Sequence, residues 1–392
     1  MRLILHIGTE KTATTTIQHF LYANRKALAD KGIALSSVLG SPNNRRLPAY
    51  CMPENAYDDF FRVRNIRTPE QKRALFATFE EDFAREVRKL QQGANTMVIS
   101  SEHLHSRLER PESVEKVREI LAPLFSQIEI VCYFREQSAV VKSLYSTSIK
   151  SGHVKTFADF TRQCTPEEHR YNYETSFSLW AEAFGKDALR PKIYGREHFV
   201  DGDICADFLA IIDPALKVAD FDAAVGEQNT SLGQAGLEIG RINNMVNPRK
   251  LQGISNNNMR LRIMNAAFST ELAQRGSLDF DAATAIHDAF DASNRRFAAY
   301  FLGMTENPFP KPGRSVREGD EIRTLEFSEF LQFWESFLVE FSKYAIFADK
   351  DADTLIKVAD AIERKRELSA EDAARLADMA RQIRTRKSKA DK

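Results

Sequence analysis

Residues 3–16 constrain this chain most. An apolar run, Leu3-Ile4-Leu5-His6-Ile7, leads through Gly8-Thr9-Glu10-Lys11 into a helical pattern opening on Thr12-Ala13-Thr14-Thr15-Thr16. A short apolar run closed by a glycine turn reads as a buried strand, and hydroxyl residues ahead of an apolar-periodic stretch read as a helix start. Such a junction aims the unpaired N–H groups of a first helical turn at the space beyond the strand end. The aligned peptide dipoles add about half a positive charge there. Thr14, Thr15 and Thr16 can contribute hydroxyls and Lys11 a full charge. The spacing predicts a cradle for an anion.

Further apolar strand candidates fall at 33–36, 96–100, 127–134 and 189–194, separated by helical patterns such as 70–92 and 112–124. Strands alternating with helices predict an α/β fold, a parallel sheet covered on both faces. In such sheets ligands bind beyond the carboxyl ends of the strands. A long loop is expected over 39–69, where Asn43-Asn44-Arg45-Arg46 and three prolines cluster. No strand pattern follows residue 200, and 203–305 reads as helical with a turn at Asn256-Asn257-Asn258.

A second junction repeats the theme. The strand Gln127-Ile128-Glu129-Ile130-Val131-Cys132-Tyr133-Phe134 ends at Arg135, and Ser143-Leu144-Tyr145 follows about two turns into the next helix. An arginine is an always-charged fork for phosphate oxygens and a serine adds one donor. As a mere solvated cation Arg135 would oppose the dipole of the helix that follows it.

The first loop is not a Walker A sequence, because its lysine comes three residues after Gly8 and Ala13 replaces the second glycine. Its order, G-x-x-K-T-[GA]-T-T, resembles the 5′-phosphosulfate loop of sulfotransferases that use 3′-phosphoadenosine 5′-phosphosulfate (PAPS). Arg135 and Ser143 are similar to that family's 3′-phosphate site. The likeness extends through Lys150–Phe157, Trp180–Gly185, Lys192-Ile193-Tyr194, Gly202–Phe208 and Asn229-Thr230-Ser231-Leu232, thinning out near residue 300. Ala13 departs from the family's glycine; it should tolerate helical dihedrals while narrowing the approach of the backbone to the phosphate.

The resemblance implies a P-loop-like three-layer fold with a central parallel sheet over 1–305, and leaves 306–392 as a helical C-terminal extension. It implies a PAPS-dependent sulfotransferase, with PAPS as donor substrate, no metal, and a hydroxyl or amine on a carbohydrate, lipid or small metabolite as acceptor. Lys11, Thr12, Ala13, Thr14, Thr15, Thr16, Arg135 and Ser143 would bind the donor, and Lys11 would also stabilise charge on the leaving oxygen. The base is sought just past the 96–100 strand, in Ser100-Ser101-Glu102-His103-Leu104-His105. Glu102 comes first, then His103, then His105, although a carboxylate after Ser100 or Ser101 also suits a helix cap. Arg107 would pair with Glu102 or Glu109. Two other readings stand beside this one: a P-loop-type kinase, against which the lysine spacing and the lack of an Asp ending the 127–134 strand both argue, and a non-catalytic nucleotide-binding protein on the same fold.

Composition narrows the partners. Fifty-five basic residues balance 55 acidic ones, so no global field draws the chain to nucleic acid and any anion must be met locally. The first strand starts at Arg2-Leu3, leaving no signal peptide to expect, and no apolar run approaches a membrane span. Cys51, Cys132, Cys164 and Cys205 are scattered without metal-ligand spacing, which suits a reducing, cytoplasmic setting. The oligomeric state is not readable. Asn247-Pro248-Arg249-Lys250 and Lys311-Pro312-Gly313-Arg314 are lesser basic turns that could approach a 3′-phosphate. Phe327, Phe330, Trp334, Phe337, Phe341 and Tyr344 form a helical stripe expected to be core, Ser369-Ala370-Glu371-Asp372 a helix cap, and 381–392 a solvated basic tail.

Overall fold

The computed structural model describes residues 1–222, 232–246, 258–268, 273 and 280–313. Its centre is a parallel five-stranded sheet: β1 (Arg2–His6), β2 (Ile33–Leu35), β3 (Thr96–Ser100), β4 (Gln127–Phe134) and β5 (Leu189–Ile193), ordered β2-β3-β1-β4-β5. β1 lies between β3 and β4, with His6 level with Ser100 on one side and Val131 on the other.

Alternation along the strands assigns the two faces. Leu3, Leu5, Met97, Ile99, Ile130, Cys132 and Phe134 pack under the Phe79–Leu90, Pro111–Leu121 and Tyr173–Phe184 helices. Ile4, Val98, Val131 and Tyr133 face the opposite way, against Ile17, Phe20 and Leu21 of the Thr14–Ala23 helix and Phe208, Leu209 and Ile212 of the Ile204–Ile212 helix. This is the expected α/β three-layer arrangement. At the amino end of the sheet, buried Glu129 holds Arg2 at 2.6 Å and Arg190 at 3.0 Å, and Arg2 donates to the carbonyls of Ile211 and Ile212. Those pairings close that end. The carboxyl end carries the anion motifs.

Two expectations change in detail. The 70–92 helix is two, Pro69–Leu75 and Phe79–Leu90, because Phe76 leaves the helix to join Phe60, Phe61 and Phe79 in an aromatic cluster. The 39–69 stretch is not loop throughout. It contains the helices Arg46–Cys51 and Asp59–Arg62, and Tyr50 adds its ring to the same cluster.

The chain divides into two compact units, each assembled from separated stretches. The first (1–140, 164–228 and 286–311) holds the sheet. In the second (141–163, 229–285 and 312–392), Tyr145, Ile149, Leu237 and Met264 form a small core, and the Asn244 side chain ties the Gln234–Val246 helix to the Ile149 carbonyl at 2.7 Å. The aromatic stripe, the 369 cap, the basic tail and Asn247-Pro248-Arg249-Lys250 lie outside the described residues. No described helix is long and apolar enough to cross a membrane.

Candidate active site at the carboxyl ends of β1, β3 and β4

Gly8 opens the loop because nothing larger fits. A Cβ there would lie 2.6 Å from the Thr14 methyl and 2.9 Å from His6 Nε2. Thr9 and Thr12 then brace the turn, their hydroxyls donating to the Tyr133 carbonyl at 2.8 Å and the Thr9 carbonyl at 2.6 Å. Thr12 is fully buried by that role. Lys11 (φ 69°) and Ala13 (φ 58°, ψ 25°) both take the left-handed conformation, unusual for residues bearing a Cβ. Ala13 is therefore not in helical dihedrals as expected. It keeps the backbone that a glycine would favour there and carries a steric cost of about 1–2 kcal/mol. As the N-cap it offers no side-chain bond, which leaves the first-turn amides for a ligand or solvent. Thr14 is buried, Thr16 half-buried and Thr15 exposed.

Arg135, just past β4, reaches this loop. Its Nη1 donates to the Lys11 carbonyl at 3.0 Å, its guanidinium lies over the Tyr194 ring, and its own carbonyl accepts from the Tyr173 hydroxyl at 2.5 Å. The two sequence motifs thus meet at one place in the first unit. Ser143 belongs to the second unit, on the Gln137–Lys150 helix, where its carbonyl accepts from Thr147.

The end of β3 supplies a carboxylate. Glu102 opens the short Glu102–Arg107 helix, and its Oε2 accepts from Gln18 at 2.8 Å. Gln18 follows Thr14 by four residues and so shares its face of the helix. Beneath it, fully buried His6 bonds Ser100 Oγ through Nδ1 at 2.9 Å, and burial pushes its imidazole down to about 3. The Ser100 N–H donates to Asn44 at 2.9 Å, drawing the 39–69 segment onto the strand end.

His103 Nε2 stands 3.7 Å from Glu102 Oε1. Burial, with the nearby Arg45 and Arg107 charges, pushes its imidazole down to about 3. A histidine so reluctant to bind a proton is a poor general base near neutral pH. His105 is buried elsewhere, bonded to Ser176 at 3.1 Å beside His169. Arg107 pairs with Asp58 at 3.3 Å, rather than with Glu102 or Glu109 as anticipated, because the 39–69 segment folds across it.

Gln18, Asn44, Arg45 and Asp58 were not singled out as site residues from the sequence. Gln18 was within reach of it through its four-residue spacing from Thr14. The others depend on a fold of 39–69 that no periodicity announces. Among the described residues no three His, Cys, Asp or Glu side chains converge as a metal-ligand set.

No family model matches the chain, and no solved structure matches it. It is similar to an uncharacterized protein of Archaeoglobus fulgidus, 29% identical over 121 residues, which are 30% of this chain and 31% of that protein. The matched stretch therefore spans about a third of either chain.

Proposed function

We propose that the first unit binds PAPS at the β1 loop and transfers its sulfonate to a hydroxyl or amine held beside Glu102. The observation that carries this reading is the 3.0 Å bond from Arg135 Nη1 to the Lys11 carbonyl, which joins two independent anion motifs at neighbouring strand ends. A cradle with both a helix N-terminus and an arginine suits a ligand with two phosphate groups better than one with a single phosphate.

The chemistry divides among named residues. The amides of Thr14, Thr15 and Thr16 hold the 5′-phosphosulfate, and Lys11 meets the negative charge that grows on the bridging oxygen as its bond to sulfur breaks. Glu102 takes the proton of the acceptor as the acceptor oxygen or nitrogen bonds to sulfur, and adenosine 3′,5′-bisphosphate departs with the electron pair. Gln18 orients Glu102 for that task. Arg135 meets the 3′-phosphate.

Calorimetry tests the reading. Adenosine 3′,5′-bisphosphate should bind without magnesium and more tightly than 5′-AMP. Incubation with labelled PAPS and a mixture of glycans, lipids and metabolites should give a sulfonated product by mass spectrometry. Magnesium-dependent ATP binding with no affinity for the bisphosphate would point to a kinase instead. Bisphosphate binding without transfer to any acceptor would point to a non-catalytic binder.

A further inference from the structure

Beside Glu102 the chain buries donors that it does not use. Arg45 shows 10% of its side-chain surface and pairs with Asp58 through Nη2, yet its Nε and Nη1 have no hydrogen-bond partner. Ser101 Oγ and His103 Nδ1, on residues flanking Glu102, are also unpartnered and buried. A guanidinium cannot shed its protons, so its N–H groups persist as donors that cost free energy when unmet. Arg45 and Arg107 both lean on Asp58, while Asp59, 3.7 Å from Arg45, is 62% exposed and screened. Glu102 adds a further negative charge to the cluster around Arg45, and in the transfer just described that charge is lost.

We propose that the acceptor carries an oxyanion, a carboxylate or a sulfate or phosphate ester, which Arg45 holds next to the reacting group. This rests on the sulfonate-transfer reading for the identity of the acceptor, but the binding site itself stands on Arg45. An oxyanion supplies several lone pairs to the unmet N–H groups, and hydrogen bonds between charged partners are about twice as strong as neutral ones. It also replaces the negative charge that Glu102 gives up, so its hold on the acceptor strengthens as the reaction proceeds. A neutral sugar or lipid alcohol fills the donors without balancing the charge.

The test is calorimetric titration of the full chain with methyl glucuronide, glucose 6-sulfate and methyl glucoside, in the presence and absence of adenosine 3′,5′-bisphosphate. At least one of the two anions should bind at least tenfold more tightly than the neutral glucoside, and which one does so distinguishes a carboxylate from a sulfate ester. Arg45→Gln should abolish the preference, and Arg45→Lys, which keeps the charge and loses the guanidinium, should reduce it about tenfold. Arg107→Gln, which leaves Asp58 to Arg45 alone, should lower it severalfold and carries the test if the Arg45 variants do not fold. Absence of binding by both anions, equal binding of the glucoside, or a preference that survives Arg45→Gln overturns the proposal. Loss of bisphosphate binding alone would overturn the donor reading and leave this site standing.

Discussion

The Gln18 amide donates a 2.8 Å hydrogen bond to Glu102 Oε2, tying the helix that follows the β1 loop to the carboxylate beyond β3. Gln18 is 2% exposed and its amide also lies 3.4 Å from Ser100 Oγ, which bonds His6. A chain of polar contacts therefore runs from beneath the loop, through Ser100 and Gln18, to Glu102. The strand end beneath the loop and the carboxylate are thus held by the same residues.

Replacing Glu102 should separate binding from chemistry. Glu102→Gln keeps the shape and a partner for Gln18 but cannot take a proton, so turnover should fall about a hundred- to ten-thousandfold. Affinity for adenosine 3′,5′-bisphosphate should stay within about twofold, since the amide leaves the loop intact. Gln18→Leu should lower turnover less, about tenfold, by letting the carboxylate rotate away. Steady-state rates with calorimetry on the same samples check both, and a Glu102→Gln variant of normal turnover would falsify the proposed assignment of the base.

The loop backbone makes a separate prediction. Ala13 sits at φ 58°, ψ 25°, where a glycine has no steric cost. Ala13→Gly removes about 1–2 kcal/mol of strain and adds roughly 0.5–1 kcal/mol of unfolded-state entropy, so a small net stabilisation is expected. Ala13→Val, β-branched and left-handed, should destabilise instead. Gly8→Ala should cost about 1–3 kcal/mol, because its Cβ meets Thr14 and His6 and one of them must move. Denaturant midpoints rank the three variants. A glycine at 13 that lowers stability contradicts the strain argument.

Much of the sheet was legible because buried parallel strands write themselves as unbroken apolar runs, and every expected strand lies within a residue or so of its observed bounds. Gly8, Lys11 and Arg135 were legible because strand-to-helix junctions are short and their residues must lie near the strand end. The fold of 39–69 was not. Arg45, Asp58, Phe60 and Phe61 acquire their roles from Phe76, Phe79 and Arg107, which are distant in sequence and lack a periodicity pointing back. The left-handed turn at Ala13 was hidden for another reason: an alanine looks like a helix former, and only the loop's bracing by Thr9 and Thr12 overrides that preference.

Buried histidines set a pH dependence of stability: burial lowers His169 as well as the three that follow. His6, His103 and His105 are held neutral, with burial pushing each down to about 3. Their folded values lie below the unfolded value of about 6.5, so the unfolded chain binds more protons in between. Their contribution to stability is complete above that pH and is lost as pH falls toward 3. Between pH 7.5 and 5.5 each should cost on the order of 1 kcal/mol, a drop well above that expected from carboxylates, which titrate lower. Urea midpoints across this range should fall steeply, and His105→Gln should flatten the slope by about a quarter to a third. A flat profile in the parent chain would contradict the burial of these imidazoles.

Arg135 has two jobs in this reading, and the ratio of two affinities tells them apart. Its Nη1 braces the Lys11 carbonyl, so Arg135→Ala slackens the loop and should weaken any ligand seated there by a similar factor. Its remaining donors would meet a 3′-phosphate, a charged contact worth about 1.5–3 kcal/mol. Loss of that contact should fall on adenosine 3′,5′-bisphosphate and spare 5′-AMP, which lacks the group. The bisphosphate should therefore lose at least about tenfold more affinity than 5′-AMP. Arg135→Lys keeps the charge without the fork and should lie between the two. Calorimetry with both nucleotides on the parent and both variants gives the ratio directly. If Arg135→Ala weakens the two ligands equally, Arg135 serves the loop alone and the 3′-phosphate is read by other residues.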